Sequence, residues 1–145
     1  MPSCEIRCTT LPSSIPEVHD RIDRYLATMD VDEGLSSDLH VVIDELASNI
    51  EKYAYDGRPG IYTVRIRRTE LCLEIELEDE GKEFDPTGVE ETPVTGDVDR
   101  PIGHLGILLV KRIANGLSYS RHDGINVTAV VMRIPYKNNI HEGDR

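Results

Sequence analysis

The stretch IYTVRIRRTELCLEIELED, residues 61–79, decides the fold. Tyr62, Val64 and Ile66 alternate with Thr63, Arg65 and Arg67. Leu71, Leu73, Ile75 and Leu77 alternate with Cys72, Glu74, Glu76 and Glu78. Alternation with period two sends one set of side chains to each face of a strand. The short Arg68-Thr69-Glu70 link implies an antiparallel hairpin, with arginines lying across from glutamates on the outer face. That pairing serves register and solubility. The inner parity runs on to Asp79, which points to the core side unless the strand stops at Leu77 and leaves Asp79 in a solvated turn. A carboxylate on the core side needs a donor to offset its burial, and a ligand amine can be that donor. Gly81, two residues later, allows close backbone approach.

Upstream of the hairpin, Cys4 to Thr10 alternate weakly as a first strand. Ser14 and Glu17 have capping-box spacing. Ile15, Val18, Ile22, Tyr25, Leu26 and Met29 then follow at helical intervals up to about Asp30. A second helix begins at Ser36 or Ser37, with Leu39, Val42, Ile43, Leu46, Ile50, Tyr53 and Ala54 as its apolar stripe. Asp56-Gly57 and Pro59-Gly60 end it. Downstream, residues 80–102 have no sustained period, and a loop of that length in a compact domain is usually functional or disordered. A third helix is expected from about Gly106 to Asn115, with Leu108, Leu109 and Ile113 facing inward and Gly116 at its C-cap. A last hairpin spans Leu117 to Pro135 across Asp123-Gly124, and a polar tail follows from Lys137 to Arg145. The order β-α-α-β-β-loop-α-β-β, with short turns between strand neighbours, gives an α+β two-layer fold. Its sheet is mixed or antiparallel, with the helices on one face.

The 145 residues fit a single domain, 1–145. Sixteen Lys and Arg against 27 Asp and Glu leave a net charge of −11, which argues against a nucleic-acid binder and against docking on an anionic membrane. It does not exclude a small phosphorylated ligand, which a few backbone N–H groups and one cation can hold. With no Trp and one Phe there is no aromatic platform for single strands. Cys4, Cys8 and Cys72 have no zinc spacing and cannot all pair, so a reducing, cytoplasmic location is expected. No apolar run approaches the roughly 20 residues of a membrane span, and Met1 to Thr10 lack a signal pattern.

Two further groups can carry chemistry. Glu45 and Asn49 lie four residues apart, which on a helix is a rotation of only about 40°, and Lys52 falls on the same stripe. A carboxylate, a carboxamide and an ammonium on one edge can take a proton, a hydrated Mg²⁺ and a phosphate. The same spacing also makes an ordinary solvated helix face. Gly103-His104-Leu105-Gly106 is a Gly-flanked entry to the third helix, where backbone N–H groups attract phosphate, or simply a turn. Together, the polar helix edge, the core-side Asp79 followed by Gly81, the long loop and the Gly-rich helix entry compose one nucleotide site.

These segments resemble a known family. Glu45-Leu-Ala-Ser-Asn49-Ile-Glu-Lys52-Tyr53-Ala54-Tyr55 looks like the N-box of the Bergerat-type, histidine-kinase-like ATPases. Asp79-Glu-Gly81-Lys-Glu-Phe84-Asp85-Pro86 is similar to their adenine-binding first glycine box, and Gly103-His-Leu105-Gly106-Ile-Leu108 to their second. The branch most resembled is that of the anti-sigma factor serine kinases of bacterial partner switching. The resemblance implies a Bergerat-type two-layer sandwich with a mixed, mostly antiparallel sheet, and an ATP lid over residues 80–102. It implies ATP and Mg²⁺ as cofactors and Glu45 as the catalytic base for a substrate serine. Asn49 would be the Mg²⁺ ligand, and Asp79 the partner of the adenine amine. Gly81 would leave room for the base. Lys52 would contact phosphate, and Gly103, Leu105 and Gly106 would form the lid hinge and phosphate grip. Phe84 and Thr128 join the nucleotide-binding set. The implied partners are an anti-sigma factor antagonist of STAS type, a sigma factor and a second copy of the chain. The alternative is a nucleotide-gated regulatory module without kinase activity. One departure is Glu83, which stands where many relatives carry a second glycine. Another is the loop's charge: from Glu80 to Arg100 it holds seven acids and two bases.

Overall fold

A computed structural model describes residues 3–89 and 102–135, with residues 102–104 described by their backbone alone. The chain runs β1 (Ser3–Thr9), α1 (Ile15–Leu26), α2 (Glu33–Asn49), a π-helical turn (Ile50–Ala54), β2 (Ile61–Arg68) and β3 (Cys72–Asp79). A 3₁₀ turn (Pro86–Gly88), α3 (Ile102–Ile113), β4 (Gly116–His122) and β5 (Ile125–Arg133) complete it. The five strands form one sheet in the order β1-β2-β3-β5-β4, and every neighbouring pair is antiparallel. The expected α+β architecture is observed. No parallel pair occurs among the described strands, because each strand's sheet neighbours run opposite to it.

The β2–β3 hairpin forms as its alternation requires. Tyr62, Val64 and Ile66 are buried with Leu73, Ile75 and Leu77, and β1 adds Ile6 and Cys8 to the same face. Val18, Ile22, Tyr25 and Leu26 of α1 and Leu35, Leu39, Val42, Ile43, Leu46 and Ala47 of α2 pack against them. On the other face Arg65 pairs with Glu5 and Glu78, and Arg67 with Glu74. Leu71 breaks the pattern: it is 69% exposed, and β3 begins one residue later. The backbone of Thr69 donates to the Cys72 carbonyl at 2.8 Å, and the Thr69 hydroxyl accepts from Cys72 N–H at 3.1 Å. That tight turn uses the residues that alternation alone assigns to the strand.

Three helix boundaries differ from the sequence expectation. Ser14 makes no capping bond to α1; its hydroxyl accepts from Thr9 N–H at 2.9 Å, and α1 stops at Leu26. α2 starts at Glu33 because Asp32 caps it, accepting from Leu35 N–H at 3.2 Å. α3 starts at Ile102, a full turn before Gly106; among its described side chains Ile107 and Val110 are buried, and Ile113 packs against the core as expected. Leu109 is exposed and Leu108 only half-buried, which corrects the expected inward set. The last hairpin turns at Asp123 and Gly124, both with positive φ of 52° and 79°, as its Asp-Gly pair implies. The middle of the expected lid, residues 90–101, and the tail from 136 lie outside the described residues.

Candidate functional site

At the end of β3 the buried parity reaches Asp79, which is 7% exposed. It faces a cavity of about 460 Å³ bounded by the end of α2, the π-helical turn, β3, β5, α3 and the start of the long loop. Asp79 Oδ1 accepts from Gly81 N–H at 2.8 Å and from Asn126 Nδ2 at 2.9 Å; neither bond uses Oδ2. Asn126, itself buried, is the hub behind it. Its amide nitrogen also donates to the Lys82 carbonyl at 2.9 Å, and its oxygen accepts from Tyr119 Oη at 2.5 Å and Arg121 Nη1 at 2.7 Å. Residues of β3, β4, β5 and the loop thus fix one carboxylate oxygen of a residue that lines the cavity.

The opposite wall comes from α2. Asn49 ends it, lines the cavity, and carries a buried Nδ2 with no hydrogen-bond partner among the described residues. A buried amide without a partner is costly, and a ligand in the cavity would relieve it. A half turn of the amide presents its oxygen instead of its nitrogen. Beyond Asn49 the helix widens into the π turn. This places Tyr53 and Ala54 on the cavity wall and leaves Lys52 exposed and off it. Such single π turns recur at functional sites. Lys52 therefore departs from the stripe expected of a continuous α-helix.

Of the residues singled out from sequence, Asn49, Asp79, Phe84 and Thr128 line one cavity. Thr128 stands opposite Leu77 in the β3–β5 register, and Phe84 closes the loop side, 42% exposed. Gly81 is buried beside Ala54: a Cβ there would meet the Ala54 carbonyl oxygen at 2.4 Å, and Lys82 N–H donates to that same oxygen at 2.9 Å. Its lack of a side chain serves the lock between the loop and the π turn. Glu45 and Gly106 meet each other across α2 and α3, for a Cβ on Gly106 would fall 1.8 Å from Glu45 Oε2. Gly103 sits in the first turn of α3 and Gly106 in the second, so the free N–H groups of the helix start precede Gly106. Leu105 is 49% exposed and does not line the cavity.

Sequence reading missed several contributors. Asn126, Tyr119 and Arg121 form a long-range network with no local period. Tyr55, whose hydroxyl donates to the Ile61 carbonyl at 2.5 Å and accepts from Glu80 N–H at 2.9 Å, holds the residue after Asp79. Burial raises its pKa and keeps it a neutral phenol. Gly60 makes room for that ring, since a Cβ there would come within 2.3 Å of Tyr55. Lys82 lines the cavity and pairs with Asp56 at 2.6 Å. Lys111 donates to the carbonyls of Thr87 and Val89, tying the loop's first stem to α3. Glu83, the departure noted above, also lines the cavity.

Residues 8–134 match the family of histidine kinase-like ATPase domains. The chain belongs to that family. It is 32% identical over 91 residues to the serine/threonine-protein kinase BtrW of Bordetella bronchiseptica, covering 61% of this chain and 63% of that protein. It is 26% identical over 95 residues to the serine-protein kinase RsbW of Bacillus cereus, covering 62% of this chain and 59% of that protein. In each case the match spans less than two thirds of the relative. A crystal structure of the RsbU and RsbW domains of Rv1364c from Mycobacterium tuberculosis superposes with a TM-score of 0.67. It covers 94% of this chain and 34% of that one, at 14% identity, a likeness of fold alone. Among the described residues no helix is long and apolar enough to cross a membrane.

Proposed function

We propose that this chain is an ATP-dependent protein serine kinase acting as an anti-sigma factor. In this reading it phosphorylates a serine of a STAS-type anti-sigma factor antagonist and alternates between that antagonist and a sigma factor, in the cytoplasm. One observation carries the reading: a single cavity has a buried carboxylate on one wall and, on the other, an amide nitrogen that is buried without a partner among the described residues. The family match and the two relatives named as serine kinases support it.

In this reading Asp79 Oδ2 accepts the adenine amine while Asn126 and the Gly81 N–H hold its other oxygen still. The apolar walls, Ile50, Ala54, Leu77 and Ile107 among them, sandwich the base and exclude water. Asn49 would hold Mg²⁺ through its amide oxygen, a hard neutral ligand, once the amide turns to present that oxygen in place of the unsatisfied Nδ2. Bound Mg²⁺ neutralises charge on the phosphate oxygens. The N–H groups at the start of α3 and the dipole of that helix attract phosphate. Glu45 accepts the proton of the incoming serine hydroxyl, and Gly106 lets its carboxylate lie against α3. Transfer needs this positioning more than covalent help from the protein. Residues 1–145 act as one ATP-binding domain, with 80–102 as the lid.

The deciding experiment is calorimetric titration of ATP with and without Mg²⁺, followed by radiolabel transfer to candidate antagonists. Saturable, Mg²⁺-assisted binding and a labelled phosphoserine are expected. Absence of ATP binding would overturn the nucleotide site. ATP binding with no transfer to any antagonist would favour the second reading, a nucleotide-gated binding module. The carboxylate of Glu83 on the cavity wall is the feature that favours that alternative.

A further inference from the structure

Away from the cavity, α1 and α2 face each other through two histidines. His19 Nδ1 and His40 Nδ1 stand 2.6 Å apart, with ring centroids 4.8 Å apart. The far nitrogens meet carboxylates: His40 Nε2 lies 2.7 Å from Asp23 Oδ1, and His19 Nε2 lies 3.3 Å from Asp44 Oδ1. An ionised carboxylate only accepts, so each Nε2 is the protonated nitrogen. A neutral imidazole has a single N–H, which leaves a lone pair on each Nδ1. Two lone pairs 2.6 Å apart repel unless a cation lies between them. A proton can serve, making one ring an imidazolium. So can a metal ion that prefers nitrogen.

We infer that His19 and His40 form a two-histidine clip for a divalent transition metal of the Zn²⁺ class, bridging α1 and α2. The carboxylate behind each ring is the arrangement that orients metal-ligating histidines and makes them better donors. The side chains are 26% and 23% exposed, so an ion can enter and water can fill its remaining positions. Among the described residues no third His, Cys, Asp or Glu joins the group, since Asp23 and Asp44 sit behind the rings and not beside the facing nitrogens. Two Zn–N bonds of about 2.0–2.1 Å at a tetrahedral angle need about 3.3 Å between the nitrogens, so the rings part by about 0.7 Å on binding. Where the pair holds a shared proton, the ion replaces it: two M–N bonds form and one proton leaves to solvent. The net charge of −11 favours cation entry. His40 precedes Asn49 by nine residues on α2, about 13 Å along the axis, so this clip is independent of the nucleotide reading.

The test is calorimetric titration of the whole chain with ZnCl₂ and NiCl₂ near pH 7.5 in two buffers of different ionisation enthalpy. One ion per chain is expected, with proton release read from the buffer dependence and no competition from Mg²⁺. His19→Ala and His40→Ala should each weaken binding at least tenfold, and Asp23→Asn by about tenfold. His122→Ala, a change at an exposed position on β4, should leave it intact. Affinity equal to that of the wild type in His19→Ala and His40→Ala overturns the assignment. So does a wild-type protein that binds no ion, in which case the imidazole ¹⁵N spectrum should show a single proton shared by the two rings. Should either alanine variant fail to fold, the wild-type spectrum decides: both Nδ1 resonances must shift on adding Zn²⁺, and unmoved resonances reject the site.

Discussion

β3 has two ends built to different rules. At Leu73 and Ile75 its inner positions are aliphatic and sealed, and its outer glutamates meet arginines. Further along, the same inner parity delivers a carboxylate, Asp79, beside a cavity and across from an amide nitrogen without a partner among the described residues. The first end is satisfied within the chain, whereas the second is satisfied only in part. The contrast teaches where to look for function in a small fold: at the point where a pattern that elsewhere completes itself stops short.

The largest effect that separates the two ends is expected at Ile75. Ile75→Ala should remove about 2–5 kcal/mol of stability, read by urea denaturation, because a fully buried side chain leaves a cavity. Asp79→Asn should do the reverse. Calorimetry should show ATP binding weakened by about 1.5–3 kcal/mol, the value of a charged hydrogen bond, with a smaller change in stability. If the two variants behaved alike in both assays, the distinction drawn between the ends would be wrong.

Gly106 sharpens the comparison on the helix side. An added methyl collides with Glu45, so Gly106→Ala should cost about 1–3 kcal/mol of stability. In a Glu45→Ala background the collision is gone, and the same change should stabilise by up to about 1 kcal/mol through helix propensity. A sign that does not reverse would show that the two residues do not share that space. Tyr55→Phe removes the hydroxyl that holds Ile61 and Glu80. It should cost about 1 kcal/mol in stability and loosen Glu80 N–H to hydrogen exchange. The smallest effect is expected from Arg67→Ala, an exposed ion pair on the outer face. Its melting midpoint and its ATP affinity should both stay within the scatter of the wild type.

What could be read from the sequence is what short-range geometry fixes. A period of two needs only neighbouring residues, so the hairpin follows from residues 61–79; the choice between a core-side and a solvated Asp79 did not, since it turns on where β3 ends. The α2 stripe carries the reading as far as Asn49 for the same reason. It fails at Lys52 because the π turn is imposed by contacts the sequence does not display, among them the lock of Ala54 against Gly81. Ser14 fails as a cap because Thr9 N–H captures its hydroxyl. Gly106 looked like the start of a helix, whereas it lies a turn inside one, where another helix's side chain needs the room. Asn126, hydrogen-bonded to residues more than forty positions away, had no local signature to find.

The widened turn after Asn49 has one more implication. An i→i+5 turn accommodates a residue that an α-helical turn would leave out. The segment is therefore the place in this chain where a single-residue deletion would meet least resistance from helical bonding, since it would restore an ordinary helix. Because the turn absorbs that residue, the chain beyond it would keep its direction, and the change would fall within the turn that puts Tyr53 and Ala54 on the cavity wall. Length in this segment thus acts as a gauge, coupling the spacing of the chain to the shape of the chamber it encloses.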